Sequence, residues 1–328
     1  MNTHLPTVAD VFAAAARMRG RLVETPLLES ATLNRLAGMR VLLKAECLQH
    51  SGSFKIRGAL NRLLQLTEPE RNAGVVAFSS GNHAQAVALA SHWLGVRATI
   101  VMPSDAPAVK VAGTRVWGAE VVFYDRDRDD REKIAAELAA KQGAVLVPPF
   151  DDARIVAGQG TAALELAWQA QGCGATLDAL YVPCSGGGLV AGSALAIKSF
   201  FPRCAVYAVE PKGYDDHARS LAAGERVRGE GGCATLCDGL RAPLPGELTF
   251  AINRRELAGA VAVDDAAVRA AMAAAVQHLK IVVEPSGAAA LAAVLASPSG
   301  DTQCVGVILS GGNVDPPLLA EVLRDQFN

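Results

Sequence analysis

Aromatic residues are scarce, at 5% of the 328 positions, which argues against a sandwich held by aromatic pairs and leaves Ala/Val/Leu-rich α/β layers. No window supplies the roughly 18–20 uninterrupted apolar residues that a bilayer span needs, because Arg, Asp, Gly or Pro breaks each long apolar run. Excess charge of one sign is also missing. With 31 basic and 33 acidic side chains the formal net charge is −2, so no basic field invites nucleic acid. The first residues, MNTHLPTVADVFAAAARMRG, place Asp10 ahead of the apolar stretch and lack a basic leader, so a cytoplasmic protein without a signal peptide is expected. Cysteine is present but forms no framework: seven residues, an odd number, are scattered along the chain. Cys233 and Cys237 lack the second pair a zinc site needs, and reduced thiols are expected.

What is present is apolar and alternating. Hydrophobic residues make up 51% of the chain, and its length exceeds what one core organises, so two domains are expected. Strand-like runs at 41–47, 74–80, 98–103, 120–125, 144–149, 177–185, 205–211 and 304–312 alternate with Ala/Leu-rich helical segments such as HAQAVALASHWLG and DDAAVRAAMAAAVQHL. This order predicts an α/β, doubly wound parallel architecture whose ligand sits at the carboxyl ends of the strands. The Gly/Pro-interrupted stretch 212–250 is expected to be irregular and to cover a site, and the charge run YDRDRDDREK at 124–133 to open a helix.

Four strand-end loops carry candidate chemistry. Lys55, in Ser53-Phe54-Lys55-Ile56-Arg57-Gly58, stands beside an aromatic at a strand-to-helix junction, where desolvation would lower its pKa and let its amine form a Schiff base. Ser79-Ser80-Gly81-Asn82-His83 precedes a long helix and points backbone N–H groups at whatever anion occupies the crevice. Ser185, Gly186, Gly187, Gly188 and Leu189 open another helix, where successive glycines admit a phosphate close to the backbone. That loop also fits a rival: Gly186-x-Gly188-x-x-Ala191 matches a dinucleotide fingerprint, with Glu210 as a ribose-binding acid, so an NAD(P) oxidoreductase stays open on spacing alone. It leaves the Lys55 segment, the Ser79–His83 loop and the late loop Ser310-Gly311-Gly312-Asn313 unexplained.

Taken together, SFKIRG, SSGNHAQA, AGQGTAALEL, CSGGGLVAG, VEPKGYDDH, VEPSGAAALAA and LSGGNVD resemble the fold-type II pyridoxal-phosphate enzymes, within them the serine/threonine dehydratase and serine racemase family, in family order over nearly the whole chain. The resemblance implies two doubly wound open sheets with the cofactor in an interdomain cleft, a large domain of 1–49 plus 148–328 and a small one, 50–147, inserted in it. It implies that Lys55 holds pyridoxal phosphate covalently, Phe54 packs on the ring, Asn82 bonds its 3-oxygen, Ser185 through Leu189 cradle the phosphate, and Ser310 meets the pyridine nitrogen. A neutral hydroxyl there weakens the electron sink and suits elimination.

The implied activity is a dehydratase (ammonia-lyase) converting a β-hydroxy amino acid of threonine or serine type to a 2-oxo acid and ammonia. 3-Hydroxyaspartate or phenylserine dehydration, or racemisation with dehydration alongside, are the alternatives. Ser79, Ser80, Gly81, Asn82 and His83 are the implied substrate loop. Ser80 is also the implied opposite-face base, and Arg131 the implied partner of a second substrate carboxylate. Glu210, Asp216 and the Tyr214 carbonyl are implied ligands of Mg²⁺ or Ca²⁺, an oxygen-only set. A homodimer is the implied assembly. Pro148 departs from the family, replacing the histidine common before Pro-Phe-Asp-Asp, and the chain ends soon after LSGGNVD, so no isoleucine-responsive C-terminal module is expected.

Overall fold

The computed structural model describes residues 4–79, 81–106, 108–125, 128–296 and 302–327. Among these residues, ten strands fall into two sheets. In chain order they are β1 Leu27–Leu28, β2 Arg40–Lys44, β3 Val75–Phe78, β4 Ala98–Pro103, β5 Glu120–Tyr124, β6 Val145–Leu146, β7 Ala179–Pro183, β8 Ala205–Pro211, β9 Gly259–Val263 and β10 Cys304–Ile308. The six-stranded sheet runs β1-β2-β10-β7-β8-β9 and the four-stranded sheet β5-β4-β3-β6. Of the described strands, only β1 is antiparallel to its neighbour. The α/β class with two open sheets is therefore as expected, one sheet being mixed and the other parallel.

The strands form where β-branched residues run together and both faces are covered, as parallel sheets require. β3 and β4 are buried along their whole length, as is β10. Each face of the larger sheet carries an apolar cluster, with Val41, Leu43, Val305 and Leu291 in one and Leu42, Leu180, Val206 and Ile308 in the other. Asp130 and Asp152 start helices Arg131–Gln142 and Ala153–Gly172 by accepting from backbone N–H groups of the first turn.

Several local expectations are corrected. The run at 144–149 is a strand only at Val145–Leu146, because Pro148 and Pro149 bring no N–H to the ladder. An Ala-rich segment, Gly259–Val263, forms β9 beside β8. The helix opening at Asp265 widens into a π turn over Ala275–Leu279 and stops at Lys280 in the left-handed region. The stretch 212–250 is not wholly irregular, since it contains helix Asp216–Ala223 and the start of helix Glu247–Glu256. All seven cysteines are free thiols. No described helix is long and apolar enough to cross a membrane.

Candidate active site

The loops after β3, β7 and β10 meet the start of helix Lys55–Leu63 around a cavity of about 410 Å³, within the roughly 300–1,000 Å³ usual for a small-molecule site. Two backbone contacts hold the lysine loop on the end of β10: an isolated bridge between Ser53 and Gly311, and the Phe54 N–H donating to the Ser310 carbonyl at 3.1 Å. Behind it, the buried Arg57 guanidinium donates to Glu46 and Glu165, each at 2.7 Å, so a desolvated ion network fixes the first turn of the helix. Lys55 Nζ donates to the Pro149 carbonyl at 2.8 Å and lies 5.2 Å from the centre of the Phe54 ring.

Burial pushes the Lys55 amine down to about 8, because a desolvated ammonium is disfavoured. The neutral amine is the nucleophile, so covalent capture of pyridoxal phosphate by cofactor-free protein accelerates as pH rises through about 8 and levels off near pH 9. An ordinary lysine would keep accelerating toward 10.5. Stopped-flow capture rates against pH distinguish the two profiles.

The glycine loop is backed on its far side. The Gly186 carbonyl accepts from Thr249 Oγ1 at 2.5 Å and from the Gly246 N–H at 3.2 Å, and the Gly187 carbonyl from Asn253 Nδ2 at 3.4 Å. The first N–H groups of helix Gly188–Ile197 have no acceptor within the helix. No side chain fits here. A Cβ on Gly186 would overlap the Phe150 ring, and Gly187 (φ 93°) would place one 2.5 Å from His217 Nε2. A bare backbone with unclaimed N–H groups at a helix start fits a phosphate, and the buried amine across the cavity fits a carbonyl partner, so these residues suit pyridoxal phosphate. The adjacent Asp151 accepts from the N–H groups of Glu247, Leu248 and Thr249, which explains the Pro-Phe-Asp-Asp motif as a strut beneath the cradle.

In the β3 loop, Ser79 Oγ accepts from the Gly81 N–H, and Ser79, Gly81, Asn82 and His83 all line the cavity. Ser80 lies outside the described residues. Asn82 is held from two sides, Nδ2 donating to Glu284 Oε1 at 2.5 Å and Oδ1 accepting from Asn313 Nδ2 at 2.8 Å. His83 lies 3.0 Å from the Val147 carbonyl through Nε2; a carbonyl only accepts, so Nε2 carries the proton. Burial, reinforced by Lys55, takes its pKa down to about 3, so the ring is neutral at pH 7. Ser310 and Leu189 are buried and line the same cavity, as does Ser185, whose Oγ accepts from the Ala242 N–H.

Arg131 reaches the cavity from the start of its helix, its guanidinium carbon 5.6 Å from the Phe78 ring centre. Several lining residues had no assigned role in the sequence. Lys110, on helix Ala108–Arg115, pairs with Asp238 of the loop before helix Glu247–Glu256, and Arg241 lies over Tyr214 and donates to its hydroxyl. Glu284, inside the VEPSG motif, is buried, which pushes its carboxyl up to about 7. A proline or serine neighbour gives no hint of such pairings, since the partners are far apart in sequence. The lining holds Lys55, Lys110, Arg131 and Arg241 against Asp238 and Glu284, an excess of cations that favours anionic ligands.

The implied metal ligands sit elsewhere. Glu210 is fully buried, and its two oxygens accept from the N–H groups of His217 and Ala218 at 2.9 Å each. Asp216 is buried beside it, and Tyr214 turns its ring toward the cavity. With both carboxylate oxygens accepting from a helix start, Glu210 offers nothing to a ribose in the cleft, and the dinucleotide pattern lacks its ribose-binding acid.

Residues 19–311 match the family described as pyridoxal-phosphate dependent enzyme. The chain is 46% identical to an L-threo-3-hydroxyaspartate ammonia-lyase of a Pseudomonas species over 98% of this chain and 99% of the other. It is 43% identical to a serine racemase of Schizosaccharomyces pombe, over 96% of each. Among solved structures it is similar to maize serine racemase, with a TM-score of 0.91 and 38% identity over 98% of each chain.

Proposed function

Because this chain belongs to the pyridoxal-phosphate-dependent enzyme family, we propose that it is an ammonia-lyase converting a β-hydroxy amino acid to a 2-oxo acid and ammonia, with threo-3-hydroxyaspartate the preferred substrate. The observation that carries the choice of substrate is Arg131 in the same cavity as Lys55, a planar cation available to a second carboxylate. Serine and threonine have no such group.

In this reading Lys55 would hold the cofactor through its amine, the N–H groups of Gly186 to Leu189 would bind its phosphate, and Ser310 and Phe54 would bound its ring. Residues 50–147 act as a small domain inserted into 1–49 plus 148–328. When bound, pyridoxal phosphate supplies a sink for the electron pair left on Cα. The Lys55 amine, once free, would take and hold the Cα proton. The loop Ser79–His83, at a helix N-terminus, orients the α-carboxylate through its backbone N–H groups. Asn82, clamped by Glu284 and Asn313, keeps a fixed amide toward the ring oxygen. Loss of the β-hydroxyl as water and hydrolysis of the resulting imine return that water, so one 2-oxo acid and one ammonia leave per substrate. A homodimer in the cytoplasm completes the reading, supported by the family resemblance.

The test is release of 2-oxo acid and ammonia from the stereoisomers of 3-hydroxyaspartate, threonine, serine and phenylserine. The expected result is equimolar oxaloacetate and ammonia, with kcat/KM highest for a threo-3-hydroxyaspartate. A higher value for threonine or phenylserine would remove the dicarboxylate assignment. Chiral analysis of serine in the same incubations reads racemisation through Ser80.

A further inference from the structure

The AGQGT segment at 157–161 lies on helix Ala153–Gly172 and packs against the starts of two other helices. Its two glycines permit the close approach. A Cβ on Gly158 would stand 2.5 Å from the Arg57 carbonyl oxygen of helix Lys55–Leu63, and one on Gly160 would stand 2.6 Å from the Gly192 carbonyl oxygen of helix Gly188–Ile197. Thr161 Oγ1 accepts from Arg57 Nη1 at 3.2 Å, and Glu165, one turn on, accepts from the same guanidinium. The lysine helix and the glycine-loop helix are thus held to one support, and Gln159, between the two glycines, is set into the gap between them.

Gln159 is 1% exposed and lines the cavity. A Cβ on Gly58 would meet its Nε2 at 3.1 Å, and one on Gly188 would meet its Oε1 at 2.8 Å, so one end of the amide faces the lysine helix and the other the phosphate cradle. Neither end is well bonded. Nε2 lies 3.5 Å from the Pro149 carbonyl oxygen, at the limit of a hydrogen bond, and Oε1 is buried with no partner among the described residues. A buried orphan acceptor is costly, and beside an anion cradle an oxygen repels the ligand. The two ends of an amide have nearly the same shape, so a half-turn exchanges them in place. That turn sets Nε2 beside the cradle and Oε1 beside the Pro149 carbonyl, the acceptor that holds Lys55 Nζ at 2.8 Å. An ammonium carries three hydrogens, and a buried one needs more than a single acceptor.

We propose that Gln159 is a positioning residue for Lys55: with its amide turned, Oε1 and the Pro149 carbonyl form a two-acceptor seat that holds the Lys55 ammonium whenever the amine is not joined to the cofactor. The proposal rests on the assignment of Lys55 as the amine that joins it. The seat keeps the free lysine on the cavity wall between its own helix and the cradle, so the amine waits in one place. Of the titratable side chains around it, His83 is neutral at pH 7, and Lys110, Arg131, Arg241, Asp238 and Glu284 line the same cavity. Changes at Gln159 leave all of them in place.

Capture of pyridoxal phosphate by the cofactor-free full chain is followed by stopped flow against pH in the unaltered protein, in Gln159→Leu and in Gln159→Glu. Leucine fills a similar volume and accepts nothing, so the ammonium loses a partner and the midpoint of the profile is expected to fall by about half a unit to one unit. Glutamate keeps the shape and supplies a charged acceptor, so the midpoint is expected to rise by about one unit. Opposite shifts mark a group bonded to the amine, whereas a residue that only packs two helices changes the Tm and leaves both midpoints in place. Midpoints unchanged in both variants, or moved in the same direction, would overturn the proposal. If Gln159→Leu does not fold, a rise in Gln159→Glu still supports the seat and the lack of one still overturns it. Absence of capture by the unaltered protein would instead bring down the assignment of Lys55, and the proposal with it.

Discussion

Lys55→Ala lowers kcat with every substrate by at least about 10⁴-fold, since it removes the covalent anchor of the cofactor together with a general base that alone contributes roughly 10²–10⁴. The fold survives the change. In the cofactor-free protein the amine is buried with its pKa pulled down to about 8, so at pH 7 the native state carries a desolvated ammonium that the unfolded chain carries in water. The folded pKa lies below the unfolded one, so this group costs stability at neutral pH, and the cost fades as pH rises through the interval from about 8 to 10.5. Removing it loses one hydrogen bond to Pro149 and relieves that cost. Thermal denaturation of the cofactor-free variant at pH 7 is therefore expected at or above the temperature of the unaltered cofactor-free protein. A large fall in Tm would mean that the lysine is structural.

Arg131→Ala separates substrates. A bidentate bond from the guanidinium to a second carboxylate is worth about 1.5–3 kcal/mol, so its loss reduces kcat/KM for 3-hydroxyaspartate by roughly tenfold to a hundredfold while sparing serine and threonine. Two features prepare the side chain for this work: the Phe78 ring beside the guanidinium and the Asp130 cap that fixes the helix start. Arg131→Lys recovers only part of the loss, because an ammonium lacks the planar fork. Steady-state kinetics on the three amino acids checks the split, and a uniform effect or none contradicts the assignment.

The architecture was legible because β-branched runs and Ala-rich helices alternate with a clear change of period, and the cavity because its loops fall after those strands. Lys55, the Ser79–His83 loop, the glycines at 186–188 and Ser310 could be found one by one, since each is tied to a local motif at a strand end. What escaped the sequence depends on contact between remote segments. Lys110 meets Asp238 only after β4 and the loop before helix Glu247–Glu256 are brought to one cleft, and Glu284 meets Asn82 across 202 positions. β9 was invisible for another reason: alanine favours helix, and only its place beside β8 makes GAVAV a strand.

The most direct measurement is borohydride reduction of the holoprotein followed by peptide mapping. A lysine joined to the cofactor becomes a stable pyridoxyl adduct, and among the described residues two lysines line the cavity, Lys55 and Lys110. The account predicts the adduct on the peptide containing Lys55, with none on Lys110, which is held by Asp238. An adduct on Lys110, or reduction that leaves Lys55 unmodified in an active preparation, would contradict it.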